Sequence, residues 1–219
     1  MIGDNLLRFQ NFNSLVWDAE TESLGLTPNS NKIWQLGWIL FEGKKETLSR
    51  EDWLKQDNLD ISKDAARITN FSWEEYNRRK VDLEPCFSEF SSYLYNPEYL
   101  NIGQNIFNFD HYLVNITRLQ LGLKPDFSFI RRSICIRNLH LSLVLDVKPP
   151  KIGTSEWVAF NYKMSGFKKR GVKSNLKYLC GVYEVEYDET KHHSSANFDV
   201  SITKAIFDKL LWKIELEAV

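Results

Sequence analysis

The sequence predicts an α/β domain: a mixed central sheet that begins with an antiparallel three-strand meander and is flanked by helices. Three observations carry this expectation. Apolar runs over residues 14–17, 32–41 and 45–48 follow one another through short polar turns, the pattern of a meander. Later segments place apolar residues at helical spacing, most plainly over 109–121 and 196–215. A further short apolar run, 99–103, lies among the helical segments, so strands and helices mix along the chain.

Each element has a local reason. The run SLVW at 14–17 ends in Asp18, and the run KIWQLGWILF at 32–41 is stopped by Glu42 and Gly43. Residues 51–80 are polar and broken, with Ser62 and Ser72 placed to cap short helices over 62–67 and 72–79. Phe87, Phe90 and Leu94 share one face of a helix over 85–95, with Pro85 in its first turn. Gly122 closes the helix over 109–121. Residues 129–145 begin β-like and become helical before Pro149 and Pro150 break them. Residues 148–173 mix Gly, Lys and aromatics and read as an excursion or insertion within one domain, 1–219. A short helix over 176–181 precedes the final long one.

The bulk properties bound the function. A chain of 219 residues is enough for one domain with a sizeable core. The net charge of −1 lacks the basic excess of many nucleic-acid binders, but carboxylates lining a metal site would offset basic residues elsewhere. Cys86, Cys135 and Cys180 are far apart and form no CxxC pair, which argues against a disulfide scaffold or zinc ribbon. No signal peptide is visible, and no run approaches the ~20 apolar residues of a membrane span. The expectation is a cytoplasmic protein with no membrane partner.

Carboxylates stand where the pattern calls for hydrocarbon. On a helix, Asp110 shares a face with Leu113, Val114, Thr117 and Leu121, and Asp199 with Ile202, Thr203, Ile206 and Leu210. Asp18 and Glu20 lie two apart at a strand end, so both point to one face of the sheet. Taken singly, an Asp near a helix start is a cap or dipole partner, and an Asp ending a strand is a turn former. Together they ask for a cation, because an unpartnered buried carboxylate costs several kcal/mol. An all-oxygen donor set suits hard divalent ions, Mg²⁺ or Mn²⁺.

Three motifs in order carry a family resemblance. Residues 16–21, VWDAET, resemble the first motif of the DEDD exonuclease superfamily, a strand ending in D-x-E-T. Residues 103–110, GQNIFNFD, resemble the second, G-x-N-x-x-x-F-D, and 193–199 the third, where a His precedes an Asp on the last helix. The resemblance implies an RNase H-like exonuclease fold and removal of nucleotides from a 3′ end. It implies that Asp18, Glu20, Asp110 and Asp199 bind two divalent ions and that His193 is the general base of the His-type subfamily. That group includes proofreading exonucleases and oligoribonucleases. A single-stranded nucleic acid or frayed 3′ end is the implied substrate, and a polymerase or other replication or repair protein the implied protein partner.

The third motif departs from the family pattern, which sets its His five residues before the Asp. Here that position is Ser194, and His193 lies six before Asp199. The expectation is one extra loop residue with His193 still reaching the site; His192, or water activation without a His, are the alternatives. The position four before Asp199, where the tyrosine subfamily carries its Tyr, is Ser195.

Two ions ~4 Å apart would activate a water and stabilise the leaving oxygen, with Asp18 as the best bridge between them. An imidazole, with a reference pKa of ~6.5, suits the water's proton. For positioning, Gln104, Asn105 and Asn108 are candidates for the terminal nucleotide, Thr21 for the 3′ end, and Lys168, Lys169 and Arg170 for phosphates. Phe160, Tyr162 and Phe167 interleave with the basic run and suit either base stacking or core. A weakened nucleic-acid-binding or scaffold module on the same fold, and an RNase acting on short RNA, remain as alternative readings.

Overall fold

The computed structural model describes residues 6–23, 25, 31–188 and 196–218. Strands β1 (Asn13–Thr21), β2 (Ile33–Glu42) and β3 (Lys45–Trp53) form the meander. Helices α1 (Lys63–Thr69), α2 (Trp73–Arg79) and α3 (Leu83–Leu94) follow. Then come β4 (Tyr99–Gly103), α4 (Asp110–Gln120), β5 (Ser133–Cys135) and α5 (Ile136–Val144). Helices α6 (Ser155–Ser165), α7 (Leu176–Tyr183) and α8 (Ala196–Leu210) complete the order.

The sheet order is β3-β2-β1-β4-β5. β1 pairs antiparallel with β2 and parallel with β4, and β4 pairs parallel with β5, so β1 is central and the sheet is mixed. Alternation along β1 assigns its two faces. Val16 joins a core with Ile39, Ile102, Trp157 and the apolar side of α8, while Leu15, Trp17 and Ala19 pack with Phe90, Leu113 and Val114 on the other side. Burial of side chains of this size stabilises by roughly 1.5–3 kcal/mol each.

Several elements differ from the expectation. β1 continues through the acidic motif to Thr21, because Asp18 to Glu20 keep their ladder with β2. β3 runs to Trp53 rather than stopping at Leu48; as the edge strand it exposes Lys45, Glu46, Ser49 and Arg50, so its sequence lacks an apolar period. The final helix ends at Leu210, and residues 211–213 form turns. Within 148–173 lies α6, capped by the Thr154 hydroxyl, with Trp157, Phe160 and Met164 in the main core. Ser62 and Ser72 cap α1 and α2 as expected, their hydroxyls accepting from the backbone N–H groups of Ala65 and Glu75.

Candidate active site

The site begins where β1 ends. Asp18 and Glu20 project to the α8 side of the sheet along with Val16. Asp18 lies opposite Gly37 of β2. The bare backbone there admits the start of α8: a Cβ on Gly37 would fall 2.6 Å from the Ala196 Cβ and 2.8 Å from the Asn197 nitrogen. Asp199 is one turn further along α8, on the face of Ala196, and is buried. Asp18, Glu20 and Asp199 each offer a carboxylate oxygen, all within 4.8 Å of one another.

Asp110 enters from the opposite layer, at the head of α4. Its loop is shaped by Gly103, where a Cβ would meet Ile106 Cγ2 at 2.4 Å and the Trp17 carbonyl at 3.0 Å. Asn105 takes a left-handed φ of 59°, which Asn tolerates, and its Oδ1 accepts from Asn108 Nδ2. Asp110 stands outside the close triad but acts on it electrostatically. Burial and the charges of Asp110, Glu20 and Asp199 hold the Asp18 carboxyl well above the usual carboxylate range. Burial, together with Glu20, pushes Asp110 up to about 7.

The acids share their cleft with amide and basic side chains. One cleft of about 620 Å³ is lined by Asp18, Glu20, Asp110 and Asp199 and also by Gln104, Asn105, Asn108, Arg137 and Lys168. Gln104 Nε2 donates to the Ser174 carbonyl (2.8 Å) and Asn108 Nδ2 to the Ser165 carbonyl (3.1 Å), so both brace the opposite wall while lining the cleft. Lys169 and Arg170 line an adjoining cavity of about 300 Å³. Thr21 is buried beside the cleft, its hydroxyl donating to the Ser23 carbonyl and its carbonyl accepting from Trp34 Nε1. Phe160 belongs to the core, while Tyr162 is exposed and packs edge-on against Phe107 at 5.5 Å. His192 and His193 lie outside the described residues.

Sequence reasoning missed Arg137. It carries no motif and no periodicity, standing alone between Ile136 and Asn138. Only the fold reveals it, by placing the head of α5 against the end of α6.

The donor set fits a hard divalent cation. The converging atoms are carboxylate oxygens, and their mutual repulsion is what a divalent cation relieves. The layered mixed sheet is that of the RNase H-like fold of exonuclease I. E. coli exonuclease I in complex with a dT13 oligonucleotide superposes with a TM-score of 0.67 at 15% identity, over 90% of this chain and 40% of that one. The zinc-bound form of the E. coli exonuclease I–single-stranded DNA complex gives 0.68 at 14% identity, over 92% and 41%. A DNA polymerase III of PolC type from Ureaplasma parvum serovar 3 is 22% identical over 193 residues, 88% of this chain and 11% of the polymerase. The chain thus spans less than half the length of these relatives. No protein-family model matches the sequence.

Proposed function

We propose that this chain is a divalent-metal-dependent 3′–5′ exonuclease that hydrolyses phosphodiester bonds of DNA or RNA, one exonuclease domain over 1–219. The observation that carries the reading is the close acid triad from β1 and α8, which shares one cleft with Asp110 of α4 and with Arg137 and Lys168. Asp18, Glu20, Asp110 and Asp199 would hold two ions, Mg²⁺ or Mn²⁺. Bound there, the ions supply positive charge that acidifies water and offsets charge developing at phosphorus.

The chain's own groups do the rest. His193 accepts the proton of the attacking water at an imidazole nitrogen. Asn105 and Asn108 orient the terminal nucleotide, Thr21 contributes backbone at the 3′ end, and Lys168 holds a phosphate across the cleft. Single-stranded substrate is supported by the oligonucleotide complexes of exonuclease I, and a place beside a polymerase by the similarity to the PolC-type enzyme. Three free cysteines suit a reducing cytoplasm, and no helix among the described residues is long and apolar enough to cross a membrane.

The test is degradation of 5′-labelled single-stranded DNA, duplex DNA and RNA, with Mg²⁺ and with EDTA. The expected result is a ladder that shortens from the 3′ end and vanishes in EDTA. Labelled mononucleotide at the first time point would mean 5′ attack. Binding of an uncut strand would make the chain a binding module.

A further inference from the structure

The basic segment after α6 is fastened at both ends. Arg137 Nη1 donates to the carbonyls of Met164 and Ser165, and its Nη2 to the carbonyl of Phe167, each at 3.3 Å. Beneath it, buried Asn138 donates through Nδ2 to the Asn161 carbonyl (3.0 Å) and to Ser165 Oγ (2.9 Å). At the far end, Gln104 holds the Ser174 carbonyl. Residues 166–173 are therefore a strap with fixed ends, and Lys168, Lys169 and Arg170 sit exposed at its middle.

The strap stands between two cavities that share Arg137, Lys168 and Ser174. The larger holds the acids. The smaller has Lys169 and Arg170 on its wall, with Leu141, Phe167 and Val172 as an apolar floor. Lys168, Lys169 and Arg170 form no ion pair with an acid among the described residues. Like charges crowded on a strap repel, and a bound anion removes that repulsion. A volume of about 300 Å³ has room for a phosphodiester with its waters.

We propose that the smaller cavity is a second anion subsite, taking a backbone phosphate of the strand on the 5′ side of the scissile bond. Lys169 and Arg170 contact that phosphate, and Arg137 is the positioning residue that fixes the strap. The inference rests on the exonuclease reading for its ligand. It predicts different chemistry at two arginines. Arg170 works as a charge, so Arg170→Lys keeps the subsite. Arg137 works as a planar fork spanning three carbonyls, so Arg137→Lys loses it.

The test is binding of 5′-labelled oligothymidylates of increasing length in EDTA, followed by anisotropy at several salt concentrations. Affinity should step up at the length that reaches the smaller cavity. The step should disappear in Lys169→Ala/Arg170→Ala and in Arg137→Lys, persist in Arg170→Lys, and persist in the control Lys44→Ala on the β2–β3 turn. The salt slope should fall by roughly 0.7 for each phosphate that the variant no longer neutralises. Inorganic phosphate should compete with long strands more than with short ones. A step that survives in the double variant, or no step at all in the native protein, overturns the subsite. Should Arg137→Lys fail to fold by circular dichroism, the double variant decides. Because binding is read without turnover, a native protein that binds with the step but never cuts would sink the exonuclease reading and leave the subsite standing.

Discussion

Gly37 and Ala196 are in direct van der Waals opposition: the space a Gly37 Cβ would occupy is filled by Ala196, 2.6 Å away. Gly37 is also the cross-strand partner of Asp18, so this approach sets how closely Asp199 comes to the β1 acids. Gly37→Ala should push the start of α8 off the sheet. Overpacking of this kind costs typically 1–3 kcal/mol. The expected outcome is a folded protein with weakened Mn²⁺ binding by calorimetry and lowered nuclease activity. Unchanged Mn²⁺ affinity would show that α8 is positioned by something else.

The metal-free protein should gain stability when its acids are neutralised. Asp18 and Asp110 have folded-state pKa values above their unfolded ones, Asp110 at about 7. Their contribution is fully present below the unfolded value near 3.8 and is lost as pH rises through the folded value. In EDTA, Asp18→Asn should therefore raise the urea midpoint at pH 8, and Mg²⁺ should stabilise the native protein more than the variant. A variant less stable than the native protein in EDTA would refute this electrostatic cost.

His111 acts in the opposite direction. It is fully buried among Trp17, Phe107 and Phe129, neither ring nitrogen has a hydrogen-bond partner among the described residues, and burial lowers its pKa to about 3. The unfolded chain takes up that proton near pH 6.5 and the folded chain does not, so stability falls as pH drops from 6.5 toward about 3. Each unit is worth ~1.4 kcal/mol. His111→Phe keeps the aromatic packing and should resist acid better than the native protein, as read from denaturation midpoints at pH 4 and pH 7. Equal midpoint losses in both proteins would rule the imidazole out.

The general base is testable by a pair of variants. His193→Ala should cut turnover by about 10²–10⁴-fold with Mn²⁺ binding retained, and His192→Ala should do little. Inactivity of the His192 variant would place the register one residue earlier. Full activity of both would leave water activation to the ions.

What was legible in the sequence is what obeys a short period. Acids heading apolar helical stripes located Asp110 and Asp199, and period-two geometry put Asp18 and Glu20 on one face, where three of the four form a close triad. Asp110 is the exception in distance: it comes from the other layer, and sequence spacing carries no information on separation between layers. Helix α6 was hidden because Trp157, Phe160 and Met164, although helically spaced, are interleaved with exposed Tyr162 and Lys163 after a Pro-Pro break. The extent of β3 was hidden because an edge strand needs no apolar alternation. Arg137 was invisible because, apart from the neighbouring Asn138 Oδ1, its partners are backbone carbonyls far along the chain.

That same edge strand has a consequence for how the molecule behaves in a crowd. An open strand edge is a template on which another chain can continue the ladder. β3 presents Lys45, Glu46, Arg50 and Glu51 along its length, with Arg50 and Glu51 engaged by Glu89 and Arg79. An incoming strand would have to strip water from these charges and displace their partners before gaining its hydrogen bonds. The acidic and basic fringe thus works as a gatekeeper against fibril-like stacking, and neutral substitutions along β3 should make concentrated solutions prone to aggregate.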